Sequence, residues 1–266
     1  MGKVQKESKF LKVGDNISFR RNTEGIEYEL EPSTVYNVEY DDYMDELTLI
    51  KSPGLQLPKK VYVSDDSCHF MNKVIKHFNN SKDGITGVML SGLKGSGKTV
   101  MLKDIAIDSK LPIILLDQSL HPRILTKLFN QLSDVEVCII MDEIDKFGKN
   151  YDDSYLLKVM DGINSSGKKL MLFTCNDDSA VSKYLLDRCS RIRYWKEFDE
   201  MDKDLIKAVI EDKLDDKKEA KPVFDFIQNS FGCISFDNIC SFIDEVNENP
   251  NDTFEELFND MNLSVK

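Results

Sequence analysis

The chain has 266 residues, of which 41% are apolar, so it can form one large domain or two smaller ones and is not a disordered chain. Its 47 acidic and 35 basic side chains give a formal net charge of −12, which argues against a protein that binds DNA mainly through its overall charge. Residues 196–266 contain 19 acidic and 8 basic side chains, which indicates either a solvated helical surface or an acidic face for a basic partner.

Targeting and redox signals are missing from the sequence. No apolar run approaches the roughly 18 residues that a membrane-spanning helix needs. The first ten residues lack the apolar core of a secretory signal. The six cysteines form no C-x-x-C pair, and the three histidines lie in no cluster with metal-ligand spacing. These features predict a cytoplasmic protein without a membrane anchor, a disulfide framework or a structural zinc site.

The N-terminal residues 1–62 are predicted to form a small β-rich adaptor domain. Short strand-like runs alternate with glycine and proline, as in small barrels and sandwiches. These runs are 17–19, 26–30, 34–38, 47–50 and 61–63. The tyrosines of this zone lie among acidic residues, which suits neither a nucleic-acid stacking surface nor a basic groove. We therefore expect an interaction module, and the sequence does not name its partner.

The central residues 63–198 alternate apolar strands with helical patterns. The expected strands are 87–90, 112–116, 135–141, 169–174 and 191–195, and the expected helices lie near 68–78, 98–108, 122–132, 152–163 and 179–186. Continuous apolar strands that alternate with helices indicate an α/β fold with a parallel sheet covered on both faces. Residues 199–266 show only helical spacing and are predicted to form a small helical bundle. The apolar positions with this spacing are Leu205, Ile206, Val209, Ile210, Ile239, Phe242, Ile243 and Val246.

The strongest functional signal is GLKGSGKT at residues 92–99, which fits the phosphate-binding pattern G-x-x-x-x-G-K-[ST]. Glycines let backbone N–H groups approach phosphate oxygens, and the positive end of the following helix dipole points at them. Lys98 is expected to reach the β- and γ-phosphates, and Thr99 to ligate Mg²⁺. The residues predicted to contact the nucleotide here are Gly92, Gly95, Ser96, Gly97, Lys98, Thr99 and Val100.

The second signal is the apolar strand that ends in Asp142 and Glu143. In a parallel sheet these carboxylates lie at the carboxyl edge, where ligands bind. Asp142 is predicted to join the cofactor site by holding Mg²⁺, and Glu143 is predicted to polarise the attacking water. Acids often follow buried strands at turns, but the position 44 residues after Lys98, with one strand–helix unit between, strengthens this interpretation.

Two further segments add catalytic candidates. Asn176 follows the next apolar strand, and it either hydrogen-bonds the water or γ-phosphate beside Glu143 or closes the strand as an ordinary turn residue. Arg188 and Arg191 lie between a helix and a strand. Such arginines are usually surface charges, but in a ring ATPase they reach the neighbouring subunit's nucleotide and neutralise charge on its γ-phosphate.

The order of these motifs resembles an AAA+ ATPase, specifically the AAA subfamily. The segments that carry the resemblance are the phosphate loop, IIMDEID, LLKVMDGINSS, FTCND and DRCSR. The subfamily's MDG motif is matched by Met160, Asp161 and Gly162, and its paired arginine fingers are matched by Arg188 and Arg191. The resemblance covers roughly residues 66–250. It implies a P-loop core, a helical lid and a ring, usually hexameric, with ATP and Mg²⁺ between subunits.

One segment departs from this family pattern. Unfoldases of the family usually carry an aromatic–apolar–glycine loop between the second core strand and its following helix. Residues 117–123 read DQSLHPR, with no aromatic residue and no glycine. An aromatic grip on a threaded polypeptide is therefore not expected from this loop, although Leu120 and His121 remain candidates for lining a pore.

The sequence thus predicts an AAA+ ATPase that couples ATP hydrolysis in a ring oligomer to the remodelling of a protein partner. The alternative is a nucleic-acid-processing AAA+ ATPase, such as a helicase or clamp loader, and the acidity and missing basic stripe argue against it. A nucleotide-gated scaffold with little turnover is opposed by the intact Glu143. Expected cofactors are ATP and Mg²⁺, and expected partners are further copies of the chain and a protein substrate.

Overall fold

The computed structural model describes residues 10–13, 16–19, 26–117, 122–147, 153–161, 167–181, 183–198, 201, 203–230 and 235–263. The strands are β1 Phe10–Val13, β2 Asn16–Phe19, β3 Ile26–Tyr28, β4 Val35–Asp41, β5 Glu46–Lys51, β6 Ile85–Gly92, β7 Ile113–Leu115, β8 Val137–Met141, β9 Lys169–Cys175 and β10 Tyr194–Phe198. The helices are α1 Asp65–Asn80, α2 Lys98–Asp108, α3 Pro122–Gln131, α4 Asp153–Met160, α5 Lys183–Leu186, α6 Lys203–Lys213, α7 Ala220–Ser230, α8 Phe236–Glu248 and α9 Phe254–Asp260. Short 3-10 helices occupy Ile144–Phe147, Asp178–Ala180 and Lys217–Glu219. Within these ranges, no helix is both long enough and apolar enough to cross a bilayer.

The described strands join into one sheet in the order β10-β6-β9-β8-β7-β4-β5-β2-β1-β3. Neighbouring strands run parallel from β10 to β4 and antiparallel from β4 to β3. Every residue of β8 and β9 is buried, as expected for parallel strands with both faces covered. The structure confirms the predicted α/β class with a mostly parallel sheet.

Each face of the sheet packs into its own apolar core. Successive side chains of a strand point to opposite faces, so β8 contributes Ile139 to one core and Ile140 to the other. The first core also contains residues of α3 and α4, such as Leu128 and Leu156. The second contains residues of α1 and α2, such as Val74. Two helices on each face therefore hold the sheet between them.

The path of the chain creates a ligand-binding crevice at the end of β6. From β6 the chain passes through α2 to β7, which lies three places away in the sheet, and then returns through β8 and β9 to β6. The last parallel strand, β10, lies on the other side of β6. Sheets of this kind bind ligands where the chain changes direction, at the carboxyl ends of the strands. The 92–99 loop lies at that position.

The N-terminal strands continue this same sheet. In β4, Val35 pairs with Ile113 of β7, and β5 then pairs with the other edge of β4. Val35 belongs to one core of the sheet and Tyr36 to the other, and both are fully buried. The predicted adaptor therefore shares a sheet and both cores with the parallel strands, because β4 covers the otherwise open edge of β7. The domain boundary at residue 62 stays a prediction.

Two strand predictions differ from the structure. Residues 61–63 form no strand and instead line a cavity beside the 92–99 loop. The strand expected at 191–195 begins at Tyr194, because Arg191 lies in a turn. Residues 61–63 are half-buried and Ile192 is buried, in both places without strand pairing, so the composition misled the strand prediction.

The C-terminal helices α6 to α9 pack around a third apolar core. Its buried members on α6 and α8 are Ile206, Val209, Ile210, Ile239, Phe242, Ile243 and Val246. These are the positions with helical spacing in the sequence, so the periodicity correctly predicted the buried face. Ser235 begins α8 as its N-cap, because its side chain accepts the N–H of Asn238. This bundle lies against the 92–99 loop through the start of α8.

Candidate functional site

The loop at the end of β6 turns sharply into α2. Its φ angles are positive at Gly92, Gly95 and Gly97, where only glycine fits without strain. A Cβ on Gly95 would lie 2.8 Å from Oδ2 of Asp237, at the start of α8. The Asp237 N–H also donates to the Gly95 carbonyl at 3.3 Å. Gly95 thus gives the loop its turn and its close contact with the helical bundle.

Lys98, the first residue of α2, is buried with only 6% of its surface exposed. Its ammonium donates to the carbonyls of Gly92 at 2.7 Å and Leu93 at 2.5 Å. Burial lowers the pKa of Lys98, and the nearby carboxylates of Asp142 and Glu143 oppose that effect. The loop carbonyls therefore hold a buried cation at the positive end of the α2 dipole, which is an arrangement suited to an anion.

Ser96 lies within the same loop and has an orphaned side chain. Its Oγ is buried and makes no hydrogen bond to any residue that the structure describes. Buried hydroxyl groups in native proteins almost always have a partner. An acceptor that belongs to a ligand of this loop would satisfy it.

Asp142 and Glu143 follow β8 at the carboxyl edge of the sheet, as predicted. The Thr99 hydroxyl donates to Oδ1 of Asp142 at 3.3 Å. Thr174 at the end of β9 donates to the same oxygen at 2.5 Å, and its hydroxyl accepts the Glu143 N–H at 2.7 Å. Thr174 therefore fixes both acids, because β8 and β9 are in register with Met141 opposite Phe173.

Glu143 is held in a defined orientation. Its φ is +53°, an uncommon conformation for a residue with a side chain. The Asn176 side-chain amide donates to Oε1 of Glu143 at 3.1 Å, and the Lys146 ammonium pairs with Oε2. The hydrogen bond from Lys146, with a further contribution from Asn176, lowers the pKa of Glu143. The site thus contains a charged carboxylate whose two oxygens both have donors.

The two candidate arginines occupy different environments. Arg191 is 5% exposed, and its Nε and Nη2 donate to the two carboxylate oxygens of Asp161, each at 2.8 Å. Its Nη1 also donates to the Tyr184 carbonyl. The Arg188 side chain is 62% exposed and lies 3.7 Å from Asp161. Arg191 is held within its own chain, and the reach of both arginines to a neighbouring nucleotide stays a prediction.

A cavity of about 520 Å³ lies beside the loop. Its walls come from the loop, from the segment before α1 and from the helical bundle, including Ser96, Val61 and Phe236. Tyr62 ties these walls together, because its hydroxyl bonds Asp212 of α6 and its ring lies 5.6 Å from that of Phe236. Burial and the bond to Asp212 raise the pKa of Tyr62 to about 12. The volume is in the range of small-ligand sites.

The structure brings most of the predicted residues together. Lys98, Thr99, Asp142, Glu143 and Asn176 converge at one edge of the sheet, whereas Arg188 and Arg191 lie on the segment that precedes β10. Leu120, His121 and Gly162 lie outside the described residues. Val100 lines the cavity beside the loop.

The sequence analysis assigned no role in the site to four side chains that organise it. They are Thr174, Asp145, Lys146 and Asp161. Asp145 accepts the Asn176 N–H at 3.1 Å and so fixes the backbone beside Asp142 and Glu143. Extending the register of β8 and β9 by one residue places Thr174 beside Asp142, but that register comes from the structure and not from the sequence. Nothing in the sequence pairs Asp161 with Arg191.

Comparison with known proteins agrees with this geometry. A family model described as "ATPase family associated with various cellular activities (AAA)" matches residues 88–197. The chain is also 30% identical, across 38% of its length, to the ATP-dependent zinc metalloprotease FtsH of Clostridium perfringens. It spans 17% of the length of that relative. The matched residues begin in β6 and end in β10, and so enclose the loop, the paired acids and both arginines. The comparisons and the geometry of the site together support an AAA+ ATPase domain within residues 88–197.

Proposed function

We propose that this chain is an Mg²⁺-dependent ATP hydrolase that works as a ring and remodels a protein partner. The observation that carries the proposal is the convergence of Lys98, Thr99, Asp142, Glu143 and Asn176 at the carboxyl edge of the sheet. A buried cation, a hydroxyl–carboxylate pair and an oriented acid are the parts that phosphoryl transfer to water requires.

The donor set beside the loop suits Mg²⁺. Mg²⁺ prefers hard oxygen ligands, and Thr99 Oγ1 and the Asp142 carboxylate offer such oxygens 3.3 Å apart. The buried and unpartnered Ser96 hydroxyl is consistent with a phosphate oxygen in the loop. Thr99 and Asp142 would therefore hold the ion, Asp142 through water. When bound, Mg²⁺ neutralises charge on the β- and γ-phosphate oxygens.

The protein side chains then have separate tasks. Lys98 binds the β- and γ-phosphates from its fixed position under the loop. Glu143 accepts a hydrogen bond from the attacking water and polarises it, for which the carboxylate must be ionised. Asn176 keeps Oε1 of Glu143 in place, and Thr174 keeps the backbone of Glu143 in its strained conformation. We place the base of ATP in the 520 Å³ cavity, because that cavity adjoins Ser96 and Gly97 and has apolar walls.

Ring assembly and the role of Arg188 are part of the proposal. Arg188 is exposed and lies on the segment before β10, away from its own Lys98, so it suits a role at a neighbouring nucleotide. Arg191 positions that segment through Asp161. The remodelling of a protein partner is inferred from the family and from the absence of a basic stripe in the sequence.

The first test is the ATPase rate per subunit as a function of protein concentration, with Mg²⁺ present. If sites are completed between subunits, the specific rate rises with concentration and then saturates, in parallel with assembly measured by light scattering. A flat rate from a monomer at every concentration would contradict shared sites. Tight, salt-sensitive DNA binding that stimulates turnover would favour the nucleic-acid alternative.

Mixed rings then identify the acting arginine. Arg188→Ala and Glu143→Gln are each expected to hydrolyse ATP at least 100-fold more slowly than wild type, from the scale of lost transition-state charge stabilisation. Mixing the two variants should restore part of the activity, because a Glu143→Gln subunit supplies the arginine that the site of a neighbouring Arg188→Ala subunit lacks. In the matched control mixture, Lys98→Ala takes the place of Arg188→Ala. Because Lys98→Ala binds no nucleotide, this mixture should recover no activity. No recovery at any ratio, in rings shown to be mixed, would rule out action by Arg188 in trans.

A further inference from the structure

The turn between β4 and β5 presents two apolar side chains to solvent. Tyr43 is fully exposed and Met44 is 70% exposed. Both lie in the turn DDYMDE at residues 41–46, whose other four residues are acidic. The fold of the chain does not bury these two large apolar side chains, so they are available to contact a partner.

This hairpin projects beyond the edge of the sheet that carries the nucleotide site. The pairing of β4 with β7 ends at Asn37 and Leu115, but β4 continues to Asp41. At about 3.3 Å per residue, the four further residues carry the tip roughly 13 Å past the last pair. Because β4 and β7 are parallel, the tip lies on the side of the carboxyl edge.

The tip is held in one shape. One carboxylate oxygen of Asp41 accepts the N–H groups of Tyr43 at 2.8 Å and Met44 at 3.0 Å. The Tyr40 hydroxyl donates to Asp45 at 2.6 Å. Lys127 of α3 bonds the carboxylate and the carbonyl of Asp45. The exposed pair is therefore presented by a preorganised hairpin that is fastened to α3, which lowers the entropy cost of binding.

We propose that the hairpin tip, residues 41–46, grips the protein substrate through Tyr43 and Met44, and that it prefers an extended segment with apolar and basic side chains. The aromatic ring and the thioether supply apolar contact, and thioethers adapt to varied partners. The acidic residues of the tip attract basic side chains, since Lys127 neutralises only one of the four carboxylates. This inference rests on the proposed remodelling function, and it supplies an aromatic grip that the segment 117–123 lacks.

The first experiment measures peptide affinity with the full chain. The probe is a fluorescein-labelled unstructured peptide of repeating Arg-Leu-Ser units, followed by fluorescence anisotropy with ATP present. The double variant Tyr43→Ala, Met44→Ala should bind about 30-fold more weakly, the scale of losing an interface hot spot. Tyr43→Phe should bind like wild type, and a peptide of Asp-Leu-Ser units should bind poorly. Equal affinity of wild type and the double variant, or no binding by wild type, would overturn the inference.

A second measurement separates this inference from the proposed ATPase function. Basal ATP hydrolysis without peptide should be unchanged in the double variant, because the bonds of the tip described above run within the hairpin and to Lys127 of α3. Photo-crosslinking from Tyr43→benzoylphenylalanine should label the peptide, whereas the exposed control Tyr184→benzoylphenylalanine should not. Crosslinks from the control position alone would overturn the inference even if the double variant misfolds. If the wild-type chain hydrolyses no ATP without peptide, that result would instead contradict the proposed ATPase function.

Discussion

Arg188 and Arg191 are three residues apart but differ in what their charges do. Arg191 is buried, and its Nε and Nη2 both donate to Asp161, whereas Arg188 extends into solvent. A bidentate arginine–carboxylate pair fixes geometry as well as charge. The pair connects the segment after α4 to the segment before β10. Asp161 therefore sets the conformation of the turn that presents Arg188.

The Asp161–Arg191 pair should be visible in the pH dependence of stability. The guanidinium lowers the pKa of Asp161 from its ordinary value of 3.8, so the pair stabilises the fold above that pH and is lost as pH falls through the lowered value. Asp161→Asn should cost about 1–3 kcal/mol at pH 7, below the full range for buried pairs because the Asp161 side chain is 31% exposed. The difference from wild type should shrink below pH 4.

Urea unfolding at pH 7 and pH 3 measures this effect. Arg188→Ala is the matched control, because an exposed ion pair at 3.7 Å contributes less than about 1 kcal/mol. A destabilisation by Asp161→Asn that stays constant between the two pH values would show that packing, and not charge, is lost.

At the scale of elements, the phosphate loop and α8 meet backbone to backbone. The Asp237 N–H donates to the Gly95 carbonyl, and a Cβ on Gly95 would lie 3.1 Å from Oγ of Ser235 as well as close to Asp237. The helical bundle is fastened on its other side by Tyr62 and Asp212. The bundle is thus docked at both ends of the cavity in which we place the base of ATP.

Gly95→Ala should therefore weaken nucleotide binding by forcing α8 away from the loop. We expect an affinity about tenfold lower, because a left-handed φ strains alanine by roughly 1–2 kcal/mol and the collision adds to it. Gly97→Ala separates the two causes, since its φ is positive but a Cβ would meet nothing within 4 Å. Titration with a fluorescent ATP analogue measures both. Equal losses of affinity in the two variants would mean that backbone strain alone acts. Gly54→Ala is the control and should leave the affinity unchanged, because a Cβ there meets nothing within 4 Å.

At the scale of the whole molecule, the N-terminal strands share one sheet and its cores with the strands that carry the candidate site. A second cavity, of about 800 Å³, extends from Thr99 and Glu143 to Asn37 and Glu39 of β4. The strands therefore line the approach to the catalytic acids as well as covering the edge of β7. The hairpin proposed to grip substrate belongs to the same strands, which gives a short mechanical path between the two sites.

Deletion of residues 1–62 should prevent stable folding. It removes Val35, Tyr36, Leu47 and Leu49 from the cores, each at most 1% exposed, at a cost of roughly 1.5–3 kcal/mol per side chain. That sum is comparable with the roughly 5–15 kcal/mol by which a typical domain is stable. Near-ultraviolet circular dichroism and dye binding measure the loss. Deletion of residues 1–33, which keeps β4 and β5, should be less damaging, and a fully active 63–266 chain would contradict the prediction.

The sequence by itself determined those features of the site that depend on a few consecutive residues. GLKGSGKT specifies a turn and a helix start because its glycines and Lys98 act over eight consecutive residues. An apolar strand that ends in Asp142 and Glu143 specifies acids at a sheet edge for the same reason. The helical spacing of Ile239, Phe242 and Ile243 likewise predicted a buried face.

Only the tertiary structure decided the contacts between segments that are distant in the chain. The packing of elements decides whether Arg191 faces solvent or Asp161. It also decides whether β4 forms its own sheet or extends that of β7, and which walls enclose the cavity at Tyr62. Strand patterns repeat every two residues and carry no information about the partner strand. Burial of a charge depends on which side chains surround it, and those come from elsewhere in the chain.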